Sequence, residues 1–210
     1  MKKNWEDIKW IFEPDGALRD IYVQDVRQSD YRKLINLLNS QYKLKFGGEY
    51  SNQIDFDYIQ KMWNDETGKI ETKSLTINLE GITVKSHFFI PEQIEFDIQP
   101  RQISQLSDFD KVLNFMENIS KVVGKQVTLT NENRIEFPLI KIDSKKGIEI
   151  ILRKDEMIKI SKKAGIYVNW FGRIKNLLFP KKFSREEFEY EAMKSAFEKF
   201  EATPKERNVW

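Results

Sequence analysis

The chain's one histidine, His87, lies ten residues before Asp97, with Glu95 two positions nearer. Alternating apolar positions predict that the segments on either side of Pro91-Glu92-Gln93 pair as antiparallel strands. A three-residue turn there puts Phe88 opposite Phe96, His87 opposite Asp97, and Phe89 opposite Glu95. One imidazole and two carboxylates on a common face suffice for acid–base chemistry or a weak metal site. A cross-strand His–Asp pair on a solvent-facing sheet is more commonly an ordinary ion pair, and that is the stronger reading here. Lys85, His87, Phe89, Glu95 and Asp97 are then expected to form a partner-binding patch, with no catalytic residue, metal or cofactor assigned. Asp55 and Asp57 form a second carboxylate pair, read as a helix start or a solvated face.

Other chemistry is missing from the sequence. There is no cysteine, so thiolate nucleophiles, disulfides and Cys-ligated zinc are excluded together. No Gly-x-Ser-x-Gly or phosphate-loop pattern occurs, and Gly47-Gly48 and Asp15-Gly16 read as turns. No apolar run approaches the roughly 18 residues that a membrane span requires. A soluble, cytoplasmic protein without a transmembrane segment is expected.

The elements that must position these residues follow from periodicity. Leu75, Ile77 and Leu79 alternate with polar residues, Glu80-Gly81 offers a two-residue turn, and Ile82 and Val84 resume the apolar face. Pairing Leu79 with Ile82 places Ile77 opposite Val84, and Ile94, Phe96 and Ile98 complete a three-stranded meander. Ser29-Asp30-Tyr31-Arg32-Lys33-Leu34 aligns without gaps on Ser107-Asp108-Phe109-Asp110-Lys111-Val112. Each segment opens an amphipathic helix whose Ser-Asp pair can supply a capping oxygen. The buried stripes are Tyr31, Leu34, Ile35 and Leu38 in one, and Phe109, Val112, Leu113, Met116 and Ile119 in the other. Strands are expected before and after each helix, the first hairpin joining Ile8–Phe12 to Leu18–Val23. The fold class is therefore α+β: an antiparallel sheet from two hairpin-helix-strand units, with helices on one face and a mainly helical C-terminal appendage. Residues 1–142 form the α+β domain, with a possible internal duplication, and 143–210 the appendage.

The net charge of +2 conceals an uneven distribution. Residues 1–100 carry 13 basic and 17 acidic side chains, whereas 143–183 carry 11 and 4. Tyr167, Trp170, Phe171 and Phe179 interleave the basic stretch. Lys162, Lys163, Arg173, Lys175, Lys181 and Lys182 are its candidate polyanion-binding residues, for phosphate backbone or anionic lipid. The favoured alternative pairs them with the acidic helix that follows, opened by the capping box Ser184-Arg185-Glu186-Glu187 and striped by Phe188, Met193, Phe197 and Phe200. No specific nucleic acid is then expected as a partner.

Three strings carry a resemblance. They are Asp20-Ile21-Tyr22-Val23 after the Asp15-Gly16 turn, His87-Phe88-Phe89 followed by Glu92 to Pro100, and Leu113-Asn114-Phe115-Met116 leading to Gly124 through Asn133. Over about residues 8–142 the chain resembles small bacterial proteins of the toxin-immunity type. That resemblance implies an intracellular protein that binds a cognate toxin in the producing cell and neutralises it by stoichiometric occlusion, with no catalytic residues to carry over. The remaining alternatives are an enzyme using His87, Asp97 and Glu95, or peripheral nucleic-acid or membrane-surface binding through residues 145–182. The oligomeric state is not legible.

Overall fold

The computed structural model describes residues 4–47, 52–135 and 138–150. The expected C-terminal helix and Lys162, Lys163, Arg173, Lys175, Lys181 and Lys182 lie outside the described residues. The fold is α+β. Helices α1 (Trp5–Ile8), α2 (Gln28–Gln41), α3 (Phe56–Trp63) and α4 (Leu106–Val123) accompany strands β1 (Arg19–Val23), β2 (Lys43–Phe46), β3 (Leu75–Leu79), β4 (Ile82–Ser86), β5 (Ile94–Ile98), β6 (Val127–Asn131), β7 (Pro138–Asp143) and β8 (Gly147–Ile150). Among the described residues these strands form one eight-stranded sheet in the order β2-β3-β4-β5-β1-β6-β7-β8, every neighbour antiparallel. The sheet continues past residue 142 through β8. No helix of the described residues is long and apolar enough to cross a membrane.

Period-two alternation decides the two faces of the sheet. Ile77, Val84, Phe96, Ile21, Leu129 and Ile140 are each no more than 1% exposed and share one core with the stripes of α2 and α4. The expected helical stripes are all buried. The helix starts depart from expectation, because the N-cap positions are Arg27 and Gln105 rather than the Ser-Asp pairs; each aspartate instead occupies the third helical position and reaches back over the first turn, to a different residue in each helix. Asp30 accepts from Arg27 N–H at 3.1 Å, and Asp108 from Ser104 N–H at 3.3 Å. Gly124 closes α4 in the left-handed region, at φ 71°, where any other residue would be strained. The expected helix start at Asp55 is present, its carboxylate accepting from Tyr58 N–H.

The two connections through α2 and α4 differ. After β5, α4 returns the chain to β6, one strand beyond the adjacent β1. After β1, α2 carries the chain across the sheet to β2 at its edge, and β3 and β4 then meander back toward β5.

Two sequence expectations are corrected. Ile8–Phe12 is not a strand: Trp5–Ile8 is α-helical and Lys9–Phe12 a 3-10 turn. Ile8, Ile11 and Phe12 are spaced i, i+3, i+4, and the helical conformation buries all three on one side. The β3–β4 hairpin has the expected register, Leu79 with Ile82 and Ile77 with Val84, around Glu80 and Gly81 at φ 49° and 102°. The β4–β5 pair is shifted by two residues from expectation: Val84 pairs with Ile98 and Lys85 with Asp97, so Phe88 does not face Phe96. β4 ends at Ser86 because Phe88 adopts φ 53° and folds its ring inward, 6% exposed, against Phe46. A shift of two preserves the faces, so Ile94, Phe96 and Ile98 stay buried.

Candidate functional site

On the sheet face opposite α2 and α4, the centre is polar. Asp97 on β5 is the register partner of Lys85 on β4 and of Asp20 on β1. Glu95 is the partner of Tyr22. His87 lies beyond the end of β4 and still reaches Asp97, with Nε2 3.5 Å from Oδ2. The structure thus brings Lys85, His87, Glu95 and Asp97 together, and adds two residues to which the sequence reading assigns no chemistry, Asp20 and Tyr22.

Asp20 is 2% exposed, and its carboxylate accepts from the Asn133 backbone N–H at 2.7 Å and from the Tyr22 hydroxyl at 2.8 Å. The same hydroxyl lies 3.4 Å from Glu95 Oε1, and Gln93 Nε2 donates to Glu95 Oε2 at 3.0 Å. Glu132, at the end of β6, accepts from Leu18 N–H. Burial raises the affinity of all three central carboxyls for protons. Asp20 is further raised by the charges of Asp97 and Glu132, and Glu95 by those of Asp20 and Asp97. For Asp97 the raising effects of burial and Glu132 outweigh the lowering effects of His87 and Lys85. Burial and the adjoining carboxylates also push the Tyr22 hydroxyl well above its ordinary value.

Such a cluster can hold and exchange protons, and can receive a cation presented by a partner. Among the described residues no three His, Cys, Asp or Glu side chains are arranged to hold a metal ion.

The second component is the loop from His87 to Gln93. Phe89 is 64% and Ile90 46% exposed, and the Phe89 ring stacks on His87 at 5.4 Å between centroids. Beside the loop runs a groove of about 550 Å³, lined by Met62, Trp63, Thr72, Lys73 and Ile90. Lys73 does not project freely into it, because its ammonium sits 3.9 Å above the Tyr58 ring. Four of the five expected patch residues are linked in series, Phe89 on His87, His87 on Asp97, and Asp97 beside Lys85, and Glu95 lies two positions from Asp97 on β5, paired with Tyr22. The alternation of Asp20 and Tyr22 with Ile21 and Val23 signals a polar face, but not which strand lies alongside.

No family model, curated protein or solved structure matches this chain.

Proposed function

We propose that this chain is a protein-binding protein that neutralises a cognate bacterial toxin by stoichiometric occlusion. The observation that carries the proposal is the corner where the His87–Gln93 loop meets β5. Two large apolar side chains, Phe89 and Ile90, stand exposed beside charged residues: His87 stacks on Phe89 and reaches Asp97, Glu92 follows in the same loop, and Lys85 and Glu95 lie on the adjoining strands. An apolar centre with a polar rim is how specific protein interfaces are built, and about 800 Å² per partner would extend the contact over neighbouring strands. The toxin as partner follows from the sequence resemblance over about residues 8–142.

The test is co-expression with toxin domains sought among the products of the genes neighbouring this one, followed by titration of protection against the amount of this chain. Growth should be restored near one equivalent, and the two proteins should co-elute as a complex. Full protection at a small fraction of an equivalent would instead favour the enzyme reading built on His87, Asp97 and Glu95.

A further inference from the structure

The connection from β3 to β4 takes two residues, Glu80 and Gly81, whereas β4 to β5 takes seven, from His87 to Gln93. The longer loop is tied down by side chains from two helices. Trp63 Nε1, at the end of α3, donates to the Phe88 carbonyl at 2.7 Å. The Tyr31 hydroxyl, from α2, contacts the carbonyls of both Ile90 and Gln93. Val26 N–H donates to the Glu92 carbonyl at 2.8 Å. The Tyr31 and Trp63 rings meet edge-to-face at 4.8 Å, and the Tyr31 side chain is buried. Phe88 points into the core, so the apolar side chains left outside on this restrained backbone are Phe89 and Ile90.

We propose that Phe89 and Ile90 form a two-residue anchor that enters an apolar pocket on a basic protein surface, and that Tyr31 and Trp63 are the positioning residues that hold it ready. The proposal rests on the protein-binding reading above and specifies the chemistry of the partner's contact patch. A backbone fixed before contact reduces the ordering entropy of association, and a rigid aromatic tip is an efficient source of contact area. Charge selects the partner. Glu92 shares the loop with the anchor and Glu95 and Asp97 adjoin it on β5, with the buried Asp20 and with Glu132 farther back; the basic side chains beside them are Lys85, His87 and, across the groove, Lys73, held over the Tyr58 ring. A basic surface complements this excess. An anionic bilayer does not, because apolar elements that dock on such bilayers are flanked by Lys and Arg.

The full chain carrying benzoylphenylalanine at position 89 is irradiated in the producing cell, and the adduct is identified by mass. The adduct partner is then purified and its affinity for the unlabelled full chain measured. The expected adduct is a single protein with a basic contact patch. Phe89→Ala should weaken its binding by about 30-fold or more, as for an interface hot spot. Tyr31→Phe, which keeps the ring and removes the hydroxyl, should weaken binding by about 5-fold or more and accelerate hydrogen exchange at the amides of Phe89, Ile90, Glu92 and Gln93. Asp97→Asn should reduce the salt dependence of binding. Lipid adducts, or co-sedimentation with vesicles of phosphatidylglycerol and phosphatidylethanolamine that Phe89→Ala abolishes, would overturn the proposal in favour of a membrane surface. No adduct, an acidic contact patch, or unchanged affinity in Phe89→Ala would also overturn it. Unchanged exchange and affinity in Tyr31→Phe would remove the positioning role. An adduct with a basic protein that is not a toxin, and that Phe89→Ala weakens, would leave the anchor standing and remove only the toxin reading.

Discussion

Asp97→Asn should change how the protein's stability responds to pH. Asp20 and Asp97 are direct partners across the β1–β5 pair, an arrangement in which like charges oppose strand pairing. At a separation of about 5 Å and an effective dielectric of about 20, two full charges repel by roughly 3 kcal/mol. Partial solvation and the nearby Lys85 and His87 reduce this to a net of about 1 kcal/mol. The folded state raises the proton affinity of Asp20, Glu95 and Asp97, so it binds more protons than the unfolded chain. Their contribution to stability is full below the ordinary carboxylate range, near pH 4, and is lost as pH rises through their folded values. The Tyr22 hydroxyl, raised further still, stays protonated throughout. Asp15, Asp65, Asp108 and Asp143 are shifted the other way, and their contribution is lost only as pH falls below the ordinary range. Urea unfolding followed by circular dichroism should therefore show the contribution of these carboxyls to wild-type stability declining as pH rises above the ordinary carboxylate range, and a flatter curve for Asp97→Asn. At about pH 8 the variant should equal or exceed wild type by about 1 kcal/mol. A wild type that gains stability steadily up to pH 8, or a variant that loses more than about 1 kcal/mol there, would refute the reasoning.

Three further substitutions test the architecture. Phe96→Ala removes a 1%-exposed ring that meets Phe115 edge-to-face at 5.3 Å and should cost about 3–5 kcal/mol by chemical denaturation, whereas exposed Lys45→Ala on β2 should stay within about 0.5 kcal/mol. Asp30→Ala removes an acceptor for Arg27 N–H at the start of α2, and Asp108→Ala one for the Ser104 N–H and hydroxyl at the start of α4, so each should cost about 1 kcal/mol, and no loss in either would show that its reach-back contact does not stabilise the helix start. Asn39→Ala deletes a paired contact to the backbone of Ile54, at 2.8 and 3.2 Å, and should cost about 1–3 kcal/mol with faster hydrogen exchange just ahead of α3.

The sequence by itself determined which side of α2, α4, β3, β4 and β5 is apolar, because the period of two or 3.6 is a local property of the chain. Ile77 with Val84 and Leu79 with Ile82 are legible because a two-residue turn leaves the hairpin no freedom of register. The buried stripes of α2 and α4 are legible from their own periodicity, whereas the N-caps fall on Arg27 and Gln105, ahead of the Ser-Asp pairs. Where a longer connection intervenes, alternation still decides the face but not the position along the strand. His87 is thus on the polar side as expected, yet Lys85 is the register partner of Asp97. That shift depends on Phe88 turning inward at φ 53° while Trp63 and Tyr31 hold the loop carbonyls, contacts between segments 25 to 62 residues apart. The insertion of β1 between β5 and β6, which sets Asp20 beside Asp97 and Tyr22 beside Glu95, likewise belongs to the tertiary structure alone. Strand neighbours far apart in sequence are selected by how their apolar faces share one core, and a strand's own alternation carries no record of that choice.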